Sequence, residues 1–310
     1  MAIGQAEAQA SRHSPARTEQ LRGHLAMLLF SGLIAGSFSL GGQVANEIAP
    51  AALNTVRFAI ATVIIGVLAR STGVLTAAAA RAPWRYLILG VLFAFYFVTM
   101  FEGLKTAPPV SAAAVFTLAP GVSALVGWLL LRQIITPRMA LALVVGCAGA
   151  LWVIFRADIS ALLSFHVGTG EVIFFWGVVA HGIYAPVSRR LNRGEHPLTF
   201  TFGMLLAGFA VLAIYGWADI RATDWTTLPW LVWITIAYTS ILAGSTTFVL
   251  LQYAVMRIPS SKVMAYTYLT PSWVILWEIA FGHGVPPVAV LAGVGLTIVA
   301  LLLLLKDETG

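Results

Sequence analysis

The chain has 310 residues, of which 59% are hydrophobic and only 10% charged, with a formal net charge of +6. A soluble domain usually carries about 25% charged residues, so this composition, with a mean hydropathy of +0.90, makes lipid the solvent for most of the surface. The ~10-residue alternation of a membrane β-barrel is absent. The basic residues lie between apolar blocks rather than on one face, which reads them as topology signals and not as a nucleic-acid footprint.

Residues 1–23 are polar and Ala-rich, too weakly apolar for a signal peptide, and are expected to form a tail. From there the apolar material comes in blocks about 20 residues long, the length of a membrane helix. The blocks predict ten spans, near 24–45, 51–70, 84–104, 109–131, 137–155, 169–189, 198–217, 228–253, 259–281 and 286–305. Connections are short, so neighbouring spans are expected to run antiparallel. The single cysteine, Cys147, sits inside a block and is read as packing.

With both termini placed in the cytoplasm, the inside segments hold Arg12, Arg17, Arg22, Arg70, Arg81, Arg85, Arg132, Arg138, Arg189, Arg190, Arg193, Arg257, Lys262 and Lys306. The outside segments then hold Lys105, Arg156 and Arg221, and an excess of inside Lys and Arg is the topology rule for such proteins. Five spans per half start the second half on the opposite side. The expectation is an all-α integral membrane protein of two inverted five-helix repeats, 24–155 and 169–305, joined by a periplasmic linker 156–168 and closed by a tail 306–310. Lipid bilayer is its expected surrounding.

Two stretches look like copies of each other. Pro108 pairs with Pro259, Leu118 with Leu269 and Pro120 with Pro271, all at an offset of 151 residues, and Gly32 pairs with Gly177. Interrupted membrane helices at matching places in two halves point to a transporter's binding site. Proline removes one backbone N–H and clashes with the carbonyl four residues earlier, which would free the carbonyls of Phe116 and Thr267 near mid-membrane. An unpaired carbonyl costs several kcal/mol in hydrocarbon, so each must face protein, water or solute. One reading makes Pro120 and Pro271 hinges beside a shared cavity. The other leaves them as kinks that shape packing, with neighbouring hydroxyls taking up the carbonyls.

Tyr and Trp normally gather at the membrane interfaces, and mid-depth tyrosines need partners for their hydroxyls. Depth from span centres gives a candidate solute-binding set of Phe93, Tyr96, Phe97, Phe116, Trp176, His181, Tyr184, Tyr238, Thr267, Tyr268 and Trp273. Each tyrosine could instead bond to a helix backbone within the bundle. His181 is the mid-depth group able to titrate near neutrality, as a solute contact, a packing residue or a proton relay. Ionisable residues within spans are functional candidates by default. Here they are Arg57, Glu102 and Glu278, all expected in the outer half of the membrane, with Arg57 and Glu102 at depths that would allow a gate or ion pair. The alternative for them is snorkelling. No carboxylate is expected at the midplane, which argues against an obligatory buried proton or sodium carrier and favours facilitated diffusion.

Phosphate-loop, zinc-protease and serine-hydrolase motifs are all missing, as is any Cys/His cluster with metal spacing. No cofactor, metal or catalytic residue is expected, and the rings of charge or repeated carbonyls of a channel are not visible.

The two five-span halves, the mid-span prolines of spans four and nine, and the run from Trp176-Gly177 to Tyr184 resemble the EamA-type members of the drug/metabolite transporter superfamily. Thr267-Tyr268-Leu269-Thr270-Pro271 and Phe95-Tyr96 are similar to the bacterial aromatic amino-acid exporter branch. The Leu-Gly-Glu-like segment common after each mid-helix proline in such families is replaced here, with Gln133 and Gly284 at the acidic positions. The resemblance implies a multi-pass protein of the cell inner membrane that exports aromatic or other neutral amino acids by alternating access. Another small metabolite or drug as cargo, or a membrane-embedded enzyme, stands as the alternative.

Overall fold

The computed structural model describes residues 15–76, 79–160 and 167–305. Arg12, Lys306, residues 161–166 of the expected linker and the tail 306–310 lie outside them. The described residues are helical, with no strand among them. In chain order the helices are α1 (Pro15–Val44), α2 (Pro50–Ser71), α3 (Trp84–Gly103), α4 (Pro109–Phe116), α5 (Ala119–Leu131), α6 (Pro137–Ile154), α7 (Thr169–Leu191), α8 (Pro197–Tyr215), α9 (Trp217–Ala222), α10 (Trp230–Ser240), α11 (Thr247–Val255), α12 (Ser260–Ala265), α13 (Thr270–Ala280) and α14 (Val288–Leu305). A π-helical turn, Ile241–Thr246, joins α10 to α11, and a 3₁₀ turn, Tyr266–Leu269, joins α12 to α13.

Proline sets many of the starts. Pro50, Pro109, Pro137 and Pro197 open their helices, where a missing N–H costs nothing. Thr136 and His196 add side-chain caps, accepting from the backbone N–H of Met139 at 3.3 Å and of Leu198 at 3.2 Å. α1 runs back to Pro15, so part of the region read as tail is helix.

Among the described residues nine helical stretches are long and apolar enough to cross a membrane. The difference from ten lies at 259–281, where neither α12 nor α13 has span length. Pro271 sits in the first turn of α13, and the four residues before Thr270 tighten into the 3₁₀ turn. Pro120 occupies the same place at the start of α5, after a break at Thr117 and Leu118. Each proline therefore opens a second helix rather than bending a continuous one. The two broken pairs lie against each other, α4 on α13 and α5 on α12.

The halves pack on one another throughout. α2 lies on α8, and α6 lies on α14. α3 meets α7 as α1 meets α10 and α11, and α5 meets α7 as α1 meets α13. Exchange of the two halves leaves this set of contacts unchanged. Glycine allows the closest crossings. A Cβ on Gly90 of α3 would stand 2.6 Å from the backbone N of Gly208 on α8, and one on Gly149 of α6 would stand 2.7 Å from the carbonyl oxygen of Gly293 on α14. Large apolar side chains such as Val63, Val67, Leu125, Leu129 and Val144 point outward, as a lipid-facing surface requires.

Candidate functional site

Phe93, Tyr96 and Phe97 share one face of α3, at the i, i+3 and i+4 positions that coincide on a helix. Opposite them α7 presents Phe174, His181 and Tyr184, and α4 ends on Phe116. The rings pack directly on each other. Phe93 lies 4.1 Å from Tyr184 between centroids, Tyr96 4.5 Å from His181 and 4.5 Å from Phe97, and Phe116 4.9 Å from His181. Phe38 of α1, Phe58 of α2 and Phe248 of α11 close the cluster. Its members are almost fully buried. Aromatic pairs in such arrangements contribute about 0.5–1.5 kcal/mol each beyond the area they bury. His181 is 2% exposed, and neither ring nitrogen has a hydrogen-bond partner.

Arg57 of α2 enters the cluster from the side. It is fully buried, with its guanidinium carbon 3.7 Å from the ring centre of Phe97 and 6.0 Å from that of Phe248. Cation–π contacts of this desolvated kind are worth about 2 kcal/mol. Its Nη2 donates to the carbonyl of Ala243 at 2.9 Å, while Nε and Nη1 have no partner. Ala243 lies in the π-helical turn, whose widened backbone offers a carbonyl sideways to a neighbour. Gly244 follows it, where a Cβ would collide with the carbonyl oxygen of Thr239. One turn earlier on α2, Asn54 Nδ2 donates to the carbonyls of Pro50 at 2.9 Å and Phe97 at 3.3 Å, leaving Oδ1 without a partner.

The expected pairing of Arg57 with Glu102 does not form. Glu102, near the end of α3, binds Lys105 at 2.8 Å, whereas Arg57 turns inward to the aromatic face. Glu278 is bound by His283 at 2.8 Å. A buried acid that mid-depth reasoning passed over is Glu171, in the first turn of α7, which accepts from Ser111 of α4 at 2.7 Å.

The other expected site residues are placed elsewhere. Trp176 is 58% exposed on the outer face of α7. At 100° per residue it stands about 140° round the helix from His181, while Phe174, seven residues before that histidine, stands about 20° away. Tyr238 is half-buried and donates to the carbonyl of Leu33 on α1 at 2.8 Å. Tyr268 is buried against Gly146 of α6, among Ala142, Ala300 and Leu301. Trp273 donates from Nε1 to Ser31 of α1 at 3.2 Å. Thr267 is buried with an unpartnered hydroxyl, in the 3₁₀ turn that packs on α1, α4 and α14. Phe58, Phe174 and Phe248 also belong to the cluster, outside the set that depth predicts. Phe174 was readable from its seven-residue spacing to His181. Phe248 was not, because the π turn shifts the face of everything after it.

At the end of α3 opposite Glu102, Arg85 forms a second buried charge site. It donates to the carbonyl of Leu191 at 2.8 Å and pairs with Glu195 at 2.6 Å. Glu195 lies in the connection between α7 and α8. Burial alone would raise its pKa, but the hydrogen bonds from Arg85 and from the Arg193 backbone outweigh it and hold the carboxyl below its usual range.

Among the described residues, nine apolar helical stretches whose halves pack interchangeably around a buried aromatic centre define a polytopic membrane protein of duplicated build. The sequence carries the same duplication. The EamA-like transporter family model matches at residues 21–155 and again at 168–306, and the chain belongs to that family, within the drug/metabolite transporter superfamily. It is 24% identical over 265 residues to the "Uncharacterized transporter YyaM" of Bacillus subtilis (strain 168), spanning 85% of this chain and 86% of that protein. A solved crystal structure superposes with a TM-score of 0.71 at 21% identity, covering 93% of this chain and 96% of the other, and shows the same fold.

Proposed function

We propose that this transporter moves aromatic and other neutral amino acids, or closely related small metabolites, outward across a cell inner membrane. Ten spans in two inverted five-helix repeats, 24–155 and 169–305 with both termini cytoplasmic, would carry the motion. The observation that supports this most is the convergence of Phe93, Tyr96, Phe97, Phe116, His181 and Tyr184 at the boundary between the halves. Rings from α3, α4 and α7 meet there beside the paired helix breaks, so a shift at the breaks would part them and admit a flat apolar side chain. Packed as described, they form an occluded centre. Alternating access follows as α4–α5 and α12–α13 swing at Pro120 and Pro271 while the α6–α14 pair stays fixed. No carboxylate sits in the ring cluster among the described residues, and transport down the solute gradient is the simplest energetics for such a site.

Purified protein in liposomes tests the reading directly. Phenylalanine or tryptophan is expected to equilibrate across the bilayer without a pH gradient, and flux absent for every amino acid of a broad panel would refute it. The hinge part has its own test. Pro120→Ala and Pro271→Ala are each expected to slow flux about tenfold while leaving thermal stability within about 1 kcal/mol of wild type, since alanine restores the N–H and favours one continuous helix. Unchanged flux in both variants would remove the hinges from the mechanism.

A further inference from the structure

Arg57 has an electrostatic need that the protein does not meet. Among the described residues no carboxylate lies within ion-pair distance of it. Glu102 is taken by Lys105, Glu195 by Arg85, Glu278 by His283, and Glu171 bonds to Ser111. Of the five N–H donors a guanidinium carries, one reaches the Ala243 carbonyl, and both Nε and Nη1 are buried without partners. A buried arginine normally holds an anion through two parallel N–H···O bonds. This one is aimed into the aromatic cluster, over Phe97, from the eighth residue of a 22-residue helix, which places it about 5 Å from that helix's centre. Packing alone would be served by a neutral side chain of similar length.

We propose that Arg57 recognises a carboxylate on the transported solute, so that the cargo is an aromatic acid or amino acid and not the corresponding amine, amide or ester. The inference rests on the transporter reading above and narrows its substrate class. Asn54 supports it. It lies three residues earlier on the same face of α2, and its Oδ1 is the buried acceptor within one turn that lacks a donor. Carboxylate on Arg57 and ammonium on Asn54 would fix the head of an amino acid, with its ring laid against Phe93, Phe97 and Phe248. The π turn matters because Ala243 holds one edge of the guanidinium and leaves the rest free.

The experiment compares ligands on the wild-type protein first. Radiolabelled phenylalanine uptake into proteoliposomes is measured against unlabelled phenylalanine, phenylalaninamide, phenethylamine and 3-phenylpropionate. The amide and the amine are expected to compete at least tenfold more weakly than phenylalanine, and 3-phenylpropionate to retain competition. Equal competition by amide and acid would overturn the inference and leave the transporter reading standing, while absence of flux and competition throughout would remove both. Arg57→Gln and Arg57→Lys supply the second arm. The glutamine variant is expected to raise the KM for phenylalanine by tenfold or more and to bring acid and amide to parity, with the lysine variant between. Arg57→Gln that elutes as folded protein with wild-type KM and wild-type preference would sink the assignment. If it does not fold, the wild-type panel alone decides.

Discussion

A Gly90→Leu variant is expected to yield no folded protein. Gly90 and Gly208 bring α3 and α8 into contact through their backbones. Even the first atom of a side chain at Gly90 would stand 2.6 Å from the Gly208 nitrogen and 3.0 Å from the Ala207 carbonyl carbon. Neither neighbour is a flexible side chain that could turn away, so the helices must separate. α3 carries Phe93, Tyr96 and Phe97, and their packing against Tyr184 and His181 would be lost with the separation. Overpacking a tight site by a methyl group costs about 1–3 kcal/mol, and three further carbons exceed what a marginally stable bundle tolerates. Size-exclusion chromatography of detergent extracts checks this. A monodisperse Gly90→Leu protein with a wild-type melting temperature would show that α3 and α8 do not touch as described.

Arg85→Ala is expected to destabilise the protein by about 3 kcal/mol, toward the lower end of what breaking a buried ion pair costs. Removal of the guanidinium strands Glu195 in a largely buried position and frees the Leu191 carbonyl at the end of α7. The double variant Arg85→Met with Glu195→Leu should recover most of the loss, since no charge is then left alone. The pair also predicts a pH dependence. A carboxyl whose folded pKa is depressed stabilises fully above its unfolded value of about 4.3, and the contribution fades as pH falls through the lower folded value. Melting temperature should therefore drop more steeply between about pH 5 and pH 3 for wild type than for Glu195→Gln. Parallel curves would mean that Glu195 titrates alike folded and unfolded.

Much of the fold was readable from the chain because hydrocarbon leaves few choices for a backbone. Long apolar blocks became helices, and the matched prolines located both helix breaks. What periodicity could not supply was the phase between helices. Phe93, Tyr96 and Phe97 fall together in the sequence reading because a single helix puts them on one face. Depth marks Trp176, but depth says nothing about which way a side chain faces. Depth alone would pair Arg57 with Glu102, whereas α2 turns it toward Phe97 and the π turn. That turn has no proline to announce it. Its signal is the run Thr239, Ser240, Ser245, Thr246 and Thr247 around Gly244, whose five hydroxyls donate back to carbonyls four or five residues earlier.

The interchangeable contacts of the two halves carry an energetic corollary. If every packing interface in one half has a twin in the other, swapping which half is tightened and which is relaxed trades like for like. Under the proposed alternating access, the backbone framework then contributes almost nothing to the preference between an inward-resting and an outward-resting shape. The tilt of that seesaw would then fall to side-chain pairs between the halves, among them Arg85 with Glu195 at one end of the bundle and Ser111 with Glu171 at the other. Under that proposal a single substitution at either pair is expected to shift the resting orientation as well as the stability.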